Sequence, residues 1–587
     1  MQVNDQNALW AALLVEELTR NGVTRFVIAP GSRSTPLAVA AFRNPKASIM
    51  VHFDERGAAF FALGCALAGN PAAVICTSGT AVANCAPAVA EAFNSALPLV
   101  ILSADRPPEL QECGANQTME QAGLFGRHVR GNLHLPCPDA AIPPQVLLAR
   151  VDAVLASGLA GTPGPVHINC MFREPLAPEP DGKTWQEACP ETLGEWKDGE
   201  APFTRWEKPC RGLSPAQRGE LESLLAGSTQ GLLMIGRLND PLEVSAAREL
   251  ATILGWPVVA DITSGCRSDG RIPNLICHYD LLLRSGKFRE LCAPDCVLHV
   301  GDVFVSKYLQ EHLRCLDAVY IQASSRSENR DPLHRVTRRY TLDLATLPGQ
   351  VREMIRPCPS NTWLNALLAA DKEAGKRLHA ALRSDSRLTE LAVAEAVESF
   401  LSPEMALFIG NSMPVRDLDA LSRNCPASLV RANRGVSGID GNLATAAGMT
   451  WNLPGGVAVL IGDTAALHDL NSLALLSKID GPMVVMVVNN QGGGIFSFLP
   501  IARHGDVLDP CFTNPHPWHF DHVAAMFGLE YVRVDTCDAL EAALRTASDC
   551  RCSRLIEILV DREHNVRSHQ RIYSEIARDM DAFLCGA

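Results

Sequence analysis

Apolar residues along this chain come in two rhythms. Short uninterrupted runs at 25–29, 73–76, 99–102, 166–169, 231–236, 257–261, 296–300, 318–322, 406–409, 457–461, 483–488 and 554–560 read as strands buried on both faces. Between them the apolar positions follow helical spacing, as in the amphipathic stretch behind Asn4-Asp5 that carries Glu16 and Glu17. This alternation predicts an α/β fold of three doubly wound parallel-sheet domains. The first block spans 1–185, and a Pro- and Glu-rich stretch at 174–209 gives an expected linker at 186–210. A central α/β block covers 211–360 and fades near Arg356-Pro357-Cys358-Pro359. The third, 361–587, includes a helix from about Leu388. First and third blocks read as architectural cousins, and no short-period repeat is visible.

Two of these runs end in metal-ligand chemistry. Residues 457–461 lead into Gly462-Asp463, and 483–488 lead into Asn489-Asn490-Gln491-Gly492-Gly493. If both are parallel strands, their carboxyl ends lie side by side, where open α/β sheets bind ligands. The separation, 490 − 463 = 27 residues, accommodates a helical crossover, expected at 469–478. Asp463 offers a carboxylate, Asn490 an amide oxygen and Gly492 a carbonyl, hard donors suited to Mg²⁺ that leave room for phosphate oxygens. A plain pair of turns is the competing reading of each motif alone.

Composition narrows the function classes. A net charge of −13 over 587 residues excludes a general nucleic-acid surface, so anionic substrates need clustered Arg or Lys. The start lacks a basic n-region and no run reaches the roughly 18 apolar residues of a membrane span, so a cytoplasmic protein is expected. The 20 cysteines are scattered without a C-x-x-C and read as reduced thiols. His516, His519 and His522 lack metal-motif spacing, there is no G-x-G-x-x-G, and Gly182-Lys183-Thr184 has Ala177 where a P-loop needs glycine.

In the first block, Ser32 and Arg33 follow the run 25–29, which suits a carboxylate ligand. Glu55 precedes a long apolar helix, where desolvation would favour its protonated form; a helix-start acid stabilised by the macrodipole is the alternative. Arg106 follows the run 99–102, with Asn116 and Gln117 beyond; an Arg106–Glu109 surface pair is the competing reading.

Taken together, Ala29-Pro-Gly-Ser-Arg-Ser-Thr-Pro36, Phe53-Asp-Glu-Arg-Gly-Ala-Ala59, Thr77-Ser-Gly-Thr-Ala-Val-Ala-Asn84, Ala104-Asp-Arg-Pro-Pro-Glu-Leu110, Asn433-Arg-Gly-Val-Ser-Gly-Ile-Asp-Gly441 and Asn489-Asn-Gln-Gly-Gly-Gly-Ile-Phe-Ser497 resemble the thiamine diphosphate-dependent enzymes. Within them the chain is similar to the 2-succinyl-5-enolpyruvyl-6-hydroxy-3-cyclohexene-1-carboxylate synthases of menaquinone biosynthesis. The resemblance implies a transferase that uses thiamine diphosphate with Mg²⁺ or Mn²⁺. It would decarboxylate 2-oxoglutarate and add the resulting carbanion equivalent 1,4 to isochorismate. It implies a pyrimidine-binding first block and a diphosphate-binding third block, in a homodimer or dimer of dimers with active sites between subunits. Glu55 would be catalytic, acting on the aminopyrimidine, and Asp463, Asn490 and Gly492 would hold the metal. Cofactor contacts would come from Glu55, Ser412, Gly438, Ile439, Gly462, Asp463, Thr464, Ala465, Asn490, Gly492, Gly493, Ile495 and Phe496. Substrate contacts would come from Ser32, Arg33, Arg106, Asn116, Gln117, Lys307, Ser412, Arg416, Arg434, Phe496 and Leu499. Two departures stand out: Thr464 replaces the last glycine of the superfamily Gly-Asp-Gly, and Tyr308 follows Lys307 where some relatives carry a second basic residue. Another thiamine-dependent 2-oxoacid carboligase, or a silent scaffold of the same fold, are the alternatives.

Overall fold

A computed structural model describes residues 2–178, 183–268, 270–354, 362–549 and 552–586, and the side chains of all of these but residues 2 and 549. The expected boundary at 360/361 falls outside the described residues, as does Gly182. The chain divides into two compact units. The first comprises Met1–Pro209, Asn433–Pro454 and Leu467–Gly481; the second comprises Cys210–Ala432, Gly455–Ala466 and Pro482–Ala587.

The first unit is built on a six-stranded parallel sheet. Its strands run in the order Ser48–Val51, Arg25–Ile28, Ala72–Cys76, Leu99–Asp105, Pro165–Met171, Gly131–Leu135. The inner strands Ala72–Cys76, Leu99–Asp105 and Pro165–Met171 are buried at every position, which is why they read as continuous apolar runs. Helix Glu55–Leu67 packs tightly on helix Asn442–Thr450, with Cys65 Sγ 3.4 Å from the Gly448 carbonyl oxygen. The expected linker is folded into this unit. Trp185, Cys189, Leu193 and Trp196 are buried in its core, Trp196 Nε1 donates to Glu17 Oε2 at 2.6 Å, and the Phe203 N–H donates to Glu17 Oε1 at 2.6 Å. Proline and glutamate set the composition of the stretch, but two tryptophans anchor it.

The second unit holds two parallel sheets. The five-stranded one runs Val258–Ala260, Gly231–Ile235, Cys296–Val300, Val319–Ser324, Arg338–Thr341. The six-stranded one runs Leu429–Arg431, Ala406–Ile409, Val457–Gly462, Met483–Asn489, Arg554–Leu559, Glu530–Val534. Counted in chain order, this last sheet and that of the first unit share the order 2-1-3-4-6-5, so the expected kinship is real. All three sheets are parallel throughout, an α/β fold.

Each sheet reverses direction of growth between its strands 1 and 3, which opens a crevice at their carboxyl ends. In the five-stranded sheet, side chains beyond these strand ends pair with one another. Arg237 meets Asp302 at 2.5 Å, and Arg326 and Arg330 reach the same carboxylate at 3.0 and 2.7 Å. Burial opposes ionisation of Asp302, yet the Arg237, Arg330 and Arg326 guanidinia hold its carboxyl well below the usual range. Among the described residues, no helix is long and apolar enough to cross a membrane.

Candidate active site

In the first unit the crevice lies between Arg25–Ile28 and Ala72–Cys76, and the expected residues gather at these and the next strand end. Arg33 is buried, donating to the Phe172 carbonyl at 3.1 Å and meeting exposed Glu174 at 3.4 Å. Arg106 is also buried; it donates to Ser78 Oγ and, at 2.9 Å, to the Gln117 carbonyl. Burial, then the nearby Arg33 charge, lowers the Arg106 pKa, so an anionic ligand here would relieve repulsion. The competing surface pair does not form, because Glu109 binds Arg173 at 2.6 Å. Ser32, Asn116 and Gln117 are exposed around these cations. Gln117 sits at φ +56 and donates to the Ser78 carbonyl at 3.0 Å.

Glu55 opens helix Glu55–Leu67, with Asp54 as the cap accepting from the Arg56 and Gly57 N–H groups. Glu55 is half-buried and its Oε2 accepts from Asn84 Nδ2 at 3.1 Å. The turn carrying Arg434 is pinned by buried Glu91, which accepts from the Gly435 and Val436 N–H groups at 2.6 and 2.8 Å. Beyond it, Gly438 is half-buried and Ile439 exposed, leaving an apolar side chain uncovered within this unit.

In the second unit the crevice of the six-stranded sheet lies between Ala406–Ile409 and Val457–Gly462. Strands Val457–Gly462 and Met483–Asn489 pair in parallel with Gly462 opposite Val488, so the two motifs do meet. The crossover starts earlier than expected: Asp463 itself opens a short helix, Asp463–His468, followed by a 3₁₀ segment, Leu470–Ser477. Asp463 is buried. Its Oδ1 accepts from the Thr464 N–H at 2.5 Å and from Thr464 Oγ1 at 3.1 Å, while Oδ2 accepts from the Gly492 N–H at 2.9 Å. Burial raises its pKa against these hydrogen bonds. Thr464, which stands where the superfamily has glycine, adds a hydroxyl that donates to the carboxylate.

Asn490 Nδ2 donates to Glu390 Oε1 at 2.8 Å, and Asn490 Oδ1 is buried without any hydrogen-bond partner. An orphaned buried amide oxygen beside a buried carboxylate loop is what a divalent cation would satisfy. Gly492 has φ +139, and a Cβ there would strike the Thr513 carbonyl, so only glycine fits. Its carbonyl, expected as a ligand, accepts from the Gly494 N–H at 2.9 Å. The donor set fits Mg²⁺ or Mn²⁺.

Ser412 caps helix Met413–Leu421 at φ +77, a conformation rare outside glycine. Arg416, one turn on, is exposed and donates to the Ser412 carbonyl at 2.5 Å. Ala465 is buried, Gly493, Ile495 and Phe496 are half-buried, and Leu499 is exposed. Phe496 packs on Phe512 with ring centres 5.4 Å apart. Lys307 is largely exposed and paired with Glu311 at 3.3 Å.

Sequence reasoning missed Glu390, which lies 100 residues from Asn490 and carries no local motif. It also passed over His516. That residue is buried with Nε2 3.4 Å from Asp463 Oδ2 and its ring stacked on Trp518. Testing the histidines only as a metal trio hid this; a carboxylate partner was the signal to seek. His519 instead serves Glu557, at 2.8 Å.

Residues 10–124 match the thiamine pyrophosphate enzyme N-terminal TPP binding domain, 185–409 the middle domain of thiamine pyrophosphate enzymes, and 418–558 the C-terminal TPP binding domain. The chain is 44% identical over 569 residues to a 2-succinyl-5-enolpyruvyl-6-hydroxy-3-cyclohexene-1-carboxylate synthase of Rubrobacter xylanophilus, covering 96% of this chain and 98% of that protein. It is 42% identical to the synthase of the same name from Salinibacter ruber, covering 98% and 97%. With that of Chlorobium phaeobacteroides it shares 40% identity over the whole of both chains. Matched end to end at these identities, and carrying the N-terminal, middle and C-terminal domains in order, the chain belongs to the 2-succinyl-5-enolpyruvyl-6-hydroxy-3-cyclohexene-1-carboxylate synthase family of thiamine pyrophosphate enzymes.

Proposed function

We propose that this protein decarboxylates 2-oxoglutarate and adds the four-carbon fragment 1,4 to isochorismate, forming 2-succinyl-5-enolpyruvyl-6-hydroxy-3-cyclohexene-1-carboxylate for menaquinone biosynthesis. The observation that carries the reading is the partnerless Asn490 oxygen beside Asp463, at the crevice of a sheet whose topology recurs in the first unit. Bound thiamine diphosphate supplies the electron sink for decarboxylation. Asp463, Asn490 and the Gly492 loop hold its metal, and Gly462, Thr464, Ala465 and Gly493 frame the diphosphate. Ser412, Gly438, Ile439, Ile495 and Phe496 line the ring system. Glu55 holds a proton at N1′ of the pyrimidine, oriented by Asn84.

Both substrates are dicarboxylates, which calls for directed cations. Arg416 and Arg434 grip 2-oxoglutarate; Ser32, Arg33, Arg106, Asn116, Gln117 and Lys307 grip isochorismate. Phe496 and Leu499 would present an apolar wall that keeps water from the reacting centre. The first sheet serves as pyrimidine-binding domain and the last as diphosphate-binding domain. Active sites then form between subunits of a homodimer or a dimer of dimers, in the cytoplasm. Buried unpaired thiols such as Cys65, Cys170 and Cys292 accord with a reducing compartment.

The test is direct. Purified protein supplied with thiamine diphosphate, Mg²⁺, 2-oxoglutarate and isochorismate should consume both substrates and release CO₂, with pyruvate a poor replacement for 2-oxoglutarate. Equal use of pyruvate, or no dependence on isochorismate, would reject the assignment.

A further inference from the structure

Behind Asn490 lies a buried group that the reaction as described does not use. Glu390 opens helix Glu390–Phe400, Asp417 lies on helix Met413–Leu421 and His569 on helix Arg562–Gly586. Ligating atoms of the three lie within 4.8 Å of one another. A second metal centre is one reading of this trio, but each ring nitrogen of the histidine already faces a partner. His569 Nδ1 lies 2.9 Å from the Asn565 carbonyl oxygen and Nε2 lies 3.1 Å from Asp417 Oδ1. Both neighbours are acceptors, so both ring nitrogens carry hydrogen and neither has a lone pair for a metal. Phe498 and Tyr573 close over the ring edge-on, at 5.2 and 5.6 Å. The imidazolium balances the buried carboxylates instead.

We propose that Glu390 is a positioning residue that fixes which end of the Asn490 amide faces the metal. The inference rests on Asn490 being a ligand. The two ends of an asparagine amide are nearly the same size, and only the oxygen binds a cation. Glu390 Oε1, 2.8 Å from Asn490 Nδ2, accepts from the NH₂ end; against an ionised Glu390 a flipped amide would set two oxygens against each other at that distance. Glu390 is itself immobilised: it is buried, its N–H donates to Asn565 Oδ1 at 2.9 Å, and Thr389 caps its helix through the Ala392 N–H. Asn565 thus ties Glu390 and His569 to one another through its side chain and carbonyl.

The experiment is Mn²⁺ titration, followed by electron paramagnetic resonance, of full-length protein with thiamine diphosphate present. Glu390→Gln and Glu390→Ala should each weaken Mn²⁺ binding about 10- to 100-fold, the usual effect of losing a partner that orients a ligand. The decisive comparison repeats these changes in an Asn490→Asp background. A carboxylate presents oxygen either way round, so the loss should shrink to less than about twofold. A merely structural Glu390 would cost the same in both backgrounds, and that result overturns the proposal, as does unchanged binding in both Glu390 variants. Asn490→Ala separates the two layers. If it leaves Mn²⁺ affinity intact, the metal assignment falls and takes this inference with it; if it abolishes binding while the Glu390 variants do not, only the inference falls. Melting temperatures identify any variant that fails to fold, and either Glu390 variant suffices for the comparison.

Discussion

Gly64→Ala tests whether the helix carrying Glu55 is placed by a backbone-to-backbone approach. In the first unit a Cβ on Gly64 would lie 1.9 Å from the Thr445 carbonyl oxygen and 3.0 Å from Gly448 Cα. Gly448 is the reciprocal case, its Cβ falling 1.9 Å from the Phe61 carbonyl oxygen. Real Cβ atoms essentially never come within 3.0 Å, so helices Glu55–Leu67 and Asn442–Thr450 must part by at least about 1.1 Å (3.0 − 1.9). A backbone oxygen cannot rotate aside, which puts the overpacking cost near the upper end of the usual range, about 3 kcal/mol. Alanine's better helix propensity returns about 1 kcal/mol. The net loss of about 2 kcal/mol predicts roughly 30-fold faster amide hydrogen exchange in residues 55–67 where exchange follows opening of the unit. Gly219→Ala is the control, since helix Pro215–Ala226 has open space there; it should slow exchange in that helix about fivefold. Unchanged or slower exchange in 55–67 of the Gly64 variant would refute the close-approach argument. An accompanying shift of Glu55 by an ångström would also cost on the order of 10²-fold in proton transfer.

Three further outcomes are expected. Glu55→Gln should slow exchange of the thiazolium C2 proton of bound thiamine diphosphate by about 10² to 10⁴ while sparing Mn²⁺ affinity; exchange at the wild-type rate removes Glu55 from its role. Asp463→Ala should sharply raise the Mg²⁺ concentration needed for half-maximal cofactor binding, and an unmoved titration counts against it as a ligand. Glu17, fully buried, is pushed up to about 8 by burial, then by its hydrogen bond with Asp152. The folded chain therefore keeps a proton that the unfolded chain releases near 4.5, so this contribution to stability is full below that pH and drains away as pH rises to about 8. Protection of residues 196–204 from exchange should fall across that window, and Glu17→Gln should flatten the trend; an equal slope in both proteins assigns it elsewhere.

The fold was legible wherever strands are buried on both faces. Residues 296–300 and 406–409 were read to the residue because they are apolar throughout, save for the buried His299. Every parallel strand that was missed, Ser48–Val51, Gly131–Leu135, Arg338–Thr341, Leu429–Arg431 and Glu530–Val534, lies at a sheet edge. There one side faces solvent or loops, and residues such as Ser48, Arg338 and Glu530 break the apolar run. Site residues that end strands, Asp463, Asn490 and Arg106, announce themselves because strand ends are where crevices form. Glu390, Asp417 and His569 did not. They come from three separate helices, the last more than 140 residues beyond the second, and meet only through tertiary packing, which periodicity does not encode. The linker was misread for the opposite reason: its average composition concealed Trp185 and Trp196, whose burial outweighs the surrounding prolines and glutamates.

The first unit draws on residues 433–454 and 467–481, far downstream of its sheet. During synthesis, then, a nascent chain that has emerged only as far as Pro209 possesses every strand of that sheet but not the helix against which Phe60, Phe61 and Gly64 pack. Those side chains stay uncovered while more than two hundred additional residues are translated, an interval in which chaperones would have something to grip. An excised fragment ending at Pro209 should accordingly aggregate, however well its six strands are encoded.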